Sequence, residues 1–148
     1  QWYRKHFQEG FIIVTDQETD GDFVYELFHI TNLKLINLWR DIVNEVAELN
    51  GITKKFGFGF YMSPKMEREA EFRNGYILIN PYIFEEKDWD ESAIYMMALA
   101  AEELTHLLGY QYHNESFKNK YTELLMTVMM ERVKCADLVN SLSRVRKN

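Results

Sequence analysis

The run from Ala93 to Ala101, AIYMMALAA, constrains this chain more than any other stretch. Wound as a helix it is apolar on nearly every side and rich in small alanines, so it has no face suited to water. Such a helix must be enclosed, and the remaining residues have to supply layers around it. Asp88 is a good N-cap with Glu91 three residues later in capping-box position, and Gly109 follows as a stop. The pattern predicts a helix over 88–108.

Two further helices are legible. Leu35, Leu38, Trp39, Ile42, Val43, Val46 and Leu49 recur at helical spacing ahead of Gly51, which predicts a helix over 33–50. Asn114 is a good N-cap for a third helix reaching about Ser143, with Phe117, Tyr121, Leu124, Leu125, Val128, Ala136 and Val139 as its buried stripe. Met126, Met129 and Met130 are expected in the core or against a neighbouring helix. Between the first two helices the periodicity changes to two. Phe56, Phe58, Phe60 and Met62 alternate with Gly57, Gly59 and Tyr61, and MEREAEFR (66–73) alternates again. Asn74-Gly75 is a strong hairpin signal, YILIN follows, and Pro81 closes the strand. Glu67, Glu69 and Glu71 fall on one strand face, which reads as a solvated edge protected by charge or as one wall of a groove for a basic peptide. The fold class expected is α+β, with a small antiparallel sheet packed on a central helix and helices flanking it.

At 148 residues and 47% hydrophobic content there is material for one domain with a real core. Residues 31–148 read as that domain. Residues 1–30 read as an N-terminal appendage of uncertain role, with a short strand at Phe11–Val14 and an ambiguous stretch from Asp22 to Ile30. The chain opens on Gln1, which fits a segment of a longer protein. A net charge of -6 without a basic stripe argues against nucleic acid and against anionic membranes as partners. The single cysteine, Cys135, rules out an internal disulfide and reads as a small buried residue, so a cytoplasmic, reducing setting is expected.

The chemistry concentrates in AEELTHLLGYQYHNESF, residues 101–117. Glu102 and His106 are four apart and share a helix face, the spacing at which two side chains grip one ion. Glu103 projects beside that ion, where it can polarise a water. Gly109 lets the chain turn back, bringing His113 within reach as a third ligand. Three protein ligands and one open position are what catalytic zinc requires. A solvated helix end carrying two histidines is the plain alternative. Tyr110 and Tyr112 flank the site, either covering core edge or donating to an oxyanion.

This segment resembles the active-site helix of the zincin metallopeptidases, whose motif is His-Glu-x-x-His followed by a third ligand past a turn. Small zincins of the SprT, WLM and YgjP-like kinds are similar over residues 33–130: an alternating strand, a strand ending in an Asn-Pro break (Asn80-Pro81), an apolar motif helix, then a turn. A histidine, an acidic residue and an aromatic follow, here His113, Glu115 and Phe117. The resemblance implies a minimal zincin fold and zinc-dependent hydrolysis of a protein or peptide substrate. Glu103 is then the catalytic glutamate, and Glu102, His106 and His113 hold the Zn2+. The chain departs from the family where Glu102 stands in place of the first histidine. A carboxylate can bind zinc, yet an anion there makes the bound water less acidic. An inactive zincin-like interaction module is therefore a second expectation. A third is a di-iron carboxylate bundle built on Glu26-x-x-His29 and Glu103-x-x-His106, which needs four long helices.

Overall fold

The computed structural model describes residues 3–6, 11–15, 33–62, 68–84 and 89–147. In chain order they form β1 (Tyr3–His6), β2 (Phe11–Thr15), α1 (Leu33–Leu49), β3 (Gly57–Met62), β4 (Ala70–Arg73), β5 (Tyr76–Ile79), a 3-10 turn (Pro81–Phe84), α2 (Trp89–Leu107) and α3 (Glu115–Lys147). The α+β class holds. Asp88, Glu26, His29 and Glu67, each given a role above, lie outside the described residues, as does the side chain of Cys135.

The expectation of an antiparallel sheet is corrected. The sheet is mixed and five-stranded, in the order β1-β2-β3-β5-β4. Its outer pairs, β1 with β2 and β4 with β5, are antiparallel, whereas β2–β3 and β3–β5 are parallel. The cause lies in the connections. The chain between β2 and β3 contains α1, a crossover that returns the strand in the same direction. Between β3 and β5 the chain swings out through β4 before the hairpin reverses it. At that hairpin Asn74 and Gly75 both have positive φ, 49° and 81°, the backbone of a two-residue type I′ turn. Of the first thirty residues, set apart above as an appendage, 3–6 and 11–15 are strands of this sheet.

Strands β2, β3 and β5 are buried on both faces, as parallel strands tend to be. On one face Ile13, Phe60, Met62, Ile77 and Ile79 pack with Trp39, Val43 and Val46 of α1 and Met96, Ala100 and Leu104 of α2. On the other, Ile12, Val14, Tyr61 and Leu78 form a smaller cluster. Gly59 sits opposite Ile12 because a Cβ there would strike the Ile12 carbonyl oxygen. Trp39 also donates from Nε1 to the Ile77 carbonyl, tying α1 to the sheet.

The third helix starts where expected: Asn114 Oδ1 accepts from the Phe117 backbone N–H at 3.0 Å, an N-cap bond. Phe117, Leu124 and Val128 point inward and are buried. Met126, Met129 and Met130 are a second correction. Each is more than half exposed, because the stripe through Leu124 and Val128 turns them to the opposite side of the helix. Leu49 likewise lies at the end of α1 where its partners run out, and is exposed. No helix among the described residues is long and apolar enough to cross a membrane.

Candidate metal centre

The alanines of α2 let sheet and helices close tightly around its middle, with Ala100 and Ala101 fully buried. The last turns of the helix line a surface cleft, and they carry Glu102, Glu103 and His106. Lys54 donates from Nζ to the Leu107 carbonyl at 2.9 Å, satisfying an oxygen that the helix end leaves free. Gly109 then takes φ of 105°, a conformation closed to side-chain-bearing residues, and reverses the chain.

The reversal brings His113 back over the helix. His106 Nε2 and His113 Nε2 are 3.1 Å apart, and His113 Nε2 lies 3.6 Å from Glu102 Oε1. One ligand atom from each of Glu102, His106 and His113 lies within 4.8 Å of the other two, a group able to hold a metal ion. The histidine pair is near the spacing an ion needs: two nitrogens each ~2.1 Å from a tetrahedral ion sit roughly 3.4 Å from one another. The other ring nitrogen of His106, Nδ1, lies 2.8 Å from the Tyr110 carbonyl oxygen. That oxygen can only accept, so Nδ1 carries the proton and the Nε2 lone pair faces His113. Burial pushes the His106 pKa down and so favours the neutral ring a metal needs, an effect that the Tyr110 carbonyl partly offsets.

Glu103 is set apart from the three candidate ligands. It is buried, at 4% exposure, and its Oε2 has no hydrogen-bond partner among the described residues. Burial, reinforced by the carboxylates of Glu102 and Glu71, raises its pKa to about 8, while a hydrogen bond from the Phe72 backbone works the other way. A buried carboxyl oxygen without a partner is costly to keep, which makes Glu103 a candidate functional group. A cation beside it would draw the pKa down and restore the carboxylate.

The cleft has a volume of about 550 Å³. Edge strand β4 forms one wall through Ala70, Glu71 and Phe72, joined by Arg68. Here the solvated-edge reading of the glutamates is corrected for Glu71. Its side chain is 13% exposed and its Oε2 is buried without a hydrogen-bond partner among the described residues, although Arg73 Nε comes within 3.9 Å of Oε1. Glu69 is exposed and accepts from the Tyr95 hydroxyl, a bond that raises the Tyr95 pKa to about 12. Tyr110 contributes its carbonyl rather than its hydroxyl, and Tyr112 is exposed. Sequence reasoning passed over Lys54 and Arg68, and nothing local to either marks it as part of a site.

All four residues predicted for the site thus converge: Glu102, His106 and His113 as a possible ligand set, and Glu103 beside them in the same cleft. The di-iron expectation rests in half on Glu26 and His29, which lie outside the described residues; among the described ones, 57–62, 70–73 and 76–79 form strands where such a bundle needs a long helix. Comparison of the chain with protein-family models, curated proteins and solved structures finds no match.

Proposed function

We propose that this chain is a zinc-dependent peptidase of minimal zincin type, with Glu102, His106 and His113 as the metal ligands and Glu103 as the general base. The observation that carries this reading is the convergence of three ligand atoms within 4.8 Å beside a buried carboxyl whose Oε2 has no hydrogen-bond partner among the described residues. Two imidazoles and one carboxylate are a ligand set suited to catalytic zinc. When bound, the ion acidifies a water and polarises the peptide carbonyl. Glu103 accepts the proton of the attacking water at Oε2 and passes it to the leaving amine, so proton and charge balance over the cycle. Burial favours the neutral form of His106, and the Tyr110 carbonyl, accepting from Nδ1, keeps the ring correctly turned. Strand β4, at the sheet's edge, aligns an extended peptide along the cleft as an added strand.

The second reading is a zincin-like interaction module without catalysis, favoured by the carboxylate of Glu102 at a position where the resembled family has histidine. Cleavage of quenched fluorogenic peptides by zinc-loaded protein separates the two. The peptidase reading expects turnover that Glu103→Gln reduces by at least about a hundredfold while the zinc content stays unchanged. Equal turnover by both forms removes Glu103 as the base, and no turnover by the parent protein leaves the module.

A further inference from the structure

The two histidines of the centre are held in different ways. His106 sits on α2 and is clamped at Nδ1 by the Tyr110 carbonyl. His113 sits on the bend before α3, its side chain is 59% exposed, and among the described residues no backbone carbonyl takes its other nitrogen. An exposed imidazole on a bend would lose rotational freedom on binding an ion, and that loss weakens affinity. Something has to orient it beforehand.

Phe117 is placed to do so. Its ring centroid is 4.5 Å from that of His113 and 4.7 Å from that of His106, and the two imidazoles are stacked at 5.1 Å. The three rings form a near-equilateral set, with Phe117 as the buried member. Two features hold the phenyl ring in place. Asn114 Oδ1 accepts from its backbone N–H, and Tyr121, one turn on, stacks in parallel at 6.4 Å. The cap that starts α3 therefore also seats the surface on which His113 rests.

We infer that Phe117 is a positioning residue of the metal centre: its ring orients His113 toward His106, in place of the hydrogen bond that a metal-binding histidine usually makes through its second nitrogen, and Asn114 pins it there. The inference rests on the metal-centre reading proposed above. Supporting groups around metal ligands typically change affinity by about ten- to a hundredfold when removed.

The test is zinc affinity, measured by competition with a chromophoric chelator, together with the visible spectrum of the cobalt(II) form. Phe117→Leu keeps apolar volume and loses the flat ring; it is expected to bind zinc at least about tenfold more weakly and to alter the cobalt spectrum. Phe117→Tyr keeps the ring and is expected to stay within about threefold of the parent. Should Phe117→Leu not fold, the exposed cap decides. Asn114→Ala is expected to weaken zinc binding several-fold, and Asn114→Asp, which also caps, to leave it intact. Parent-like affinity in Phe117→Leu, or in Asn114→Ala where the former does not fold, overturns the positioning role while the metal centre stands. A parent protein that binds no zinc removes both.

Discussion

His106 and His113, seven residues apart in the chain, meet Nε2 to Nε2 at 3.1 Å across the bend at Gly109. Neither residue makes a site alone. What joins them is a helix that has to end where it does, a glycine that allows the reversal, and a following helix whose first turn supplies the floor beneath both rings.

The bend itself is open to test. At φ of 105° an alanine is strained whatever space surrounds it, and nothing lies within 4 Å of where its Cβ would be. Gly109→Ala should therefore cost about 1–2 kcal/mol through the backbone alone, read as a lower urea midpoint with unchanged slope. Zinc affinity should fall more than stability does, because His113 is the residue the bend delivers. Unchanged zinc affinity in a folded Gly109→Ala protein would show that the reversal does not set the ligand's place.

Glu103 makes a prediction about pH. In the metal-free protein its folded-state pKa is raised from 4.5 to about 8 by burial and by Glu102 and Glu71. Between those values the unfolded chain releases the proton while the folded chain keeps it, so the folded state loses stability as pH rises through that window, and the loss levels off above about 8. Glu103→Gln has no proton to lose. With chelator present it should be more stable than the parent at pH 8, by an amount on the order of a few kcal/mol, with the advantage shrinking toward pH 5. Denaturant titrations at the two pH values check this. A Gln variant less stable than the parent at pH 8 would mean that Oε2 has a partner in solution.

Glu102 is where the chain departs from the family it resembles, and replacing it by histidine completes His-Glu-x-x-His. The ligand set then becomes three imidazoles, with one negative charge fewer on the ion. Glu102→His should move the acid limb of the pH–rate profile downward by roughly one unit, because a less anionic site makes a more acidic water. Glu102→Ala should lose zinc. A Glu102→His protein whose profile does not move would remove the carboxylate from the ligand set.

The sequence made the helices legible because their evidence is local. Trp39, Val43 and Val46 repeat at helical spacing, and Gly51 and Gly109 mark two ends where φ turns positive. The candidate cluster was legible for the same reason, since Glu102, Glu103 and His106 lie within one turn and a half and His113 just past a glycine. The direction of the strands was not. Whether β2 and β3 run parallel depends on the route of the chain through α1, and alternation along either strand looks the same both ways. For Glu71 a solvated edge and a groove wall both stood open, and it lines the cleft; a period of two separates the faces of β4 without telling which of them a helix will cover. The methionines of α3 show the same ambiguity, since chemistry alone placed them inward and the register through Val128 turns them out. Phe117 was legible as a buried position, but its contact with two histidines depends on how α2 and α3 meet.

The claim on which the rest depends is that Glu102, His106 and His113 share one ion. Elemental analysis of the folded protein, stripped with chelator, re-equilibrated with a slight excess of zinc and desalted, measures it directly, with His106→Ala treated alongside. The account predicts about one zinc per chain in the parent protein and close to none in the variant. A folded parent protein that keeps no zinc, or a variant that keeps as much, contradicts it.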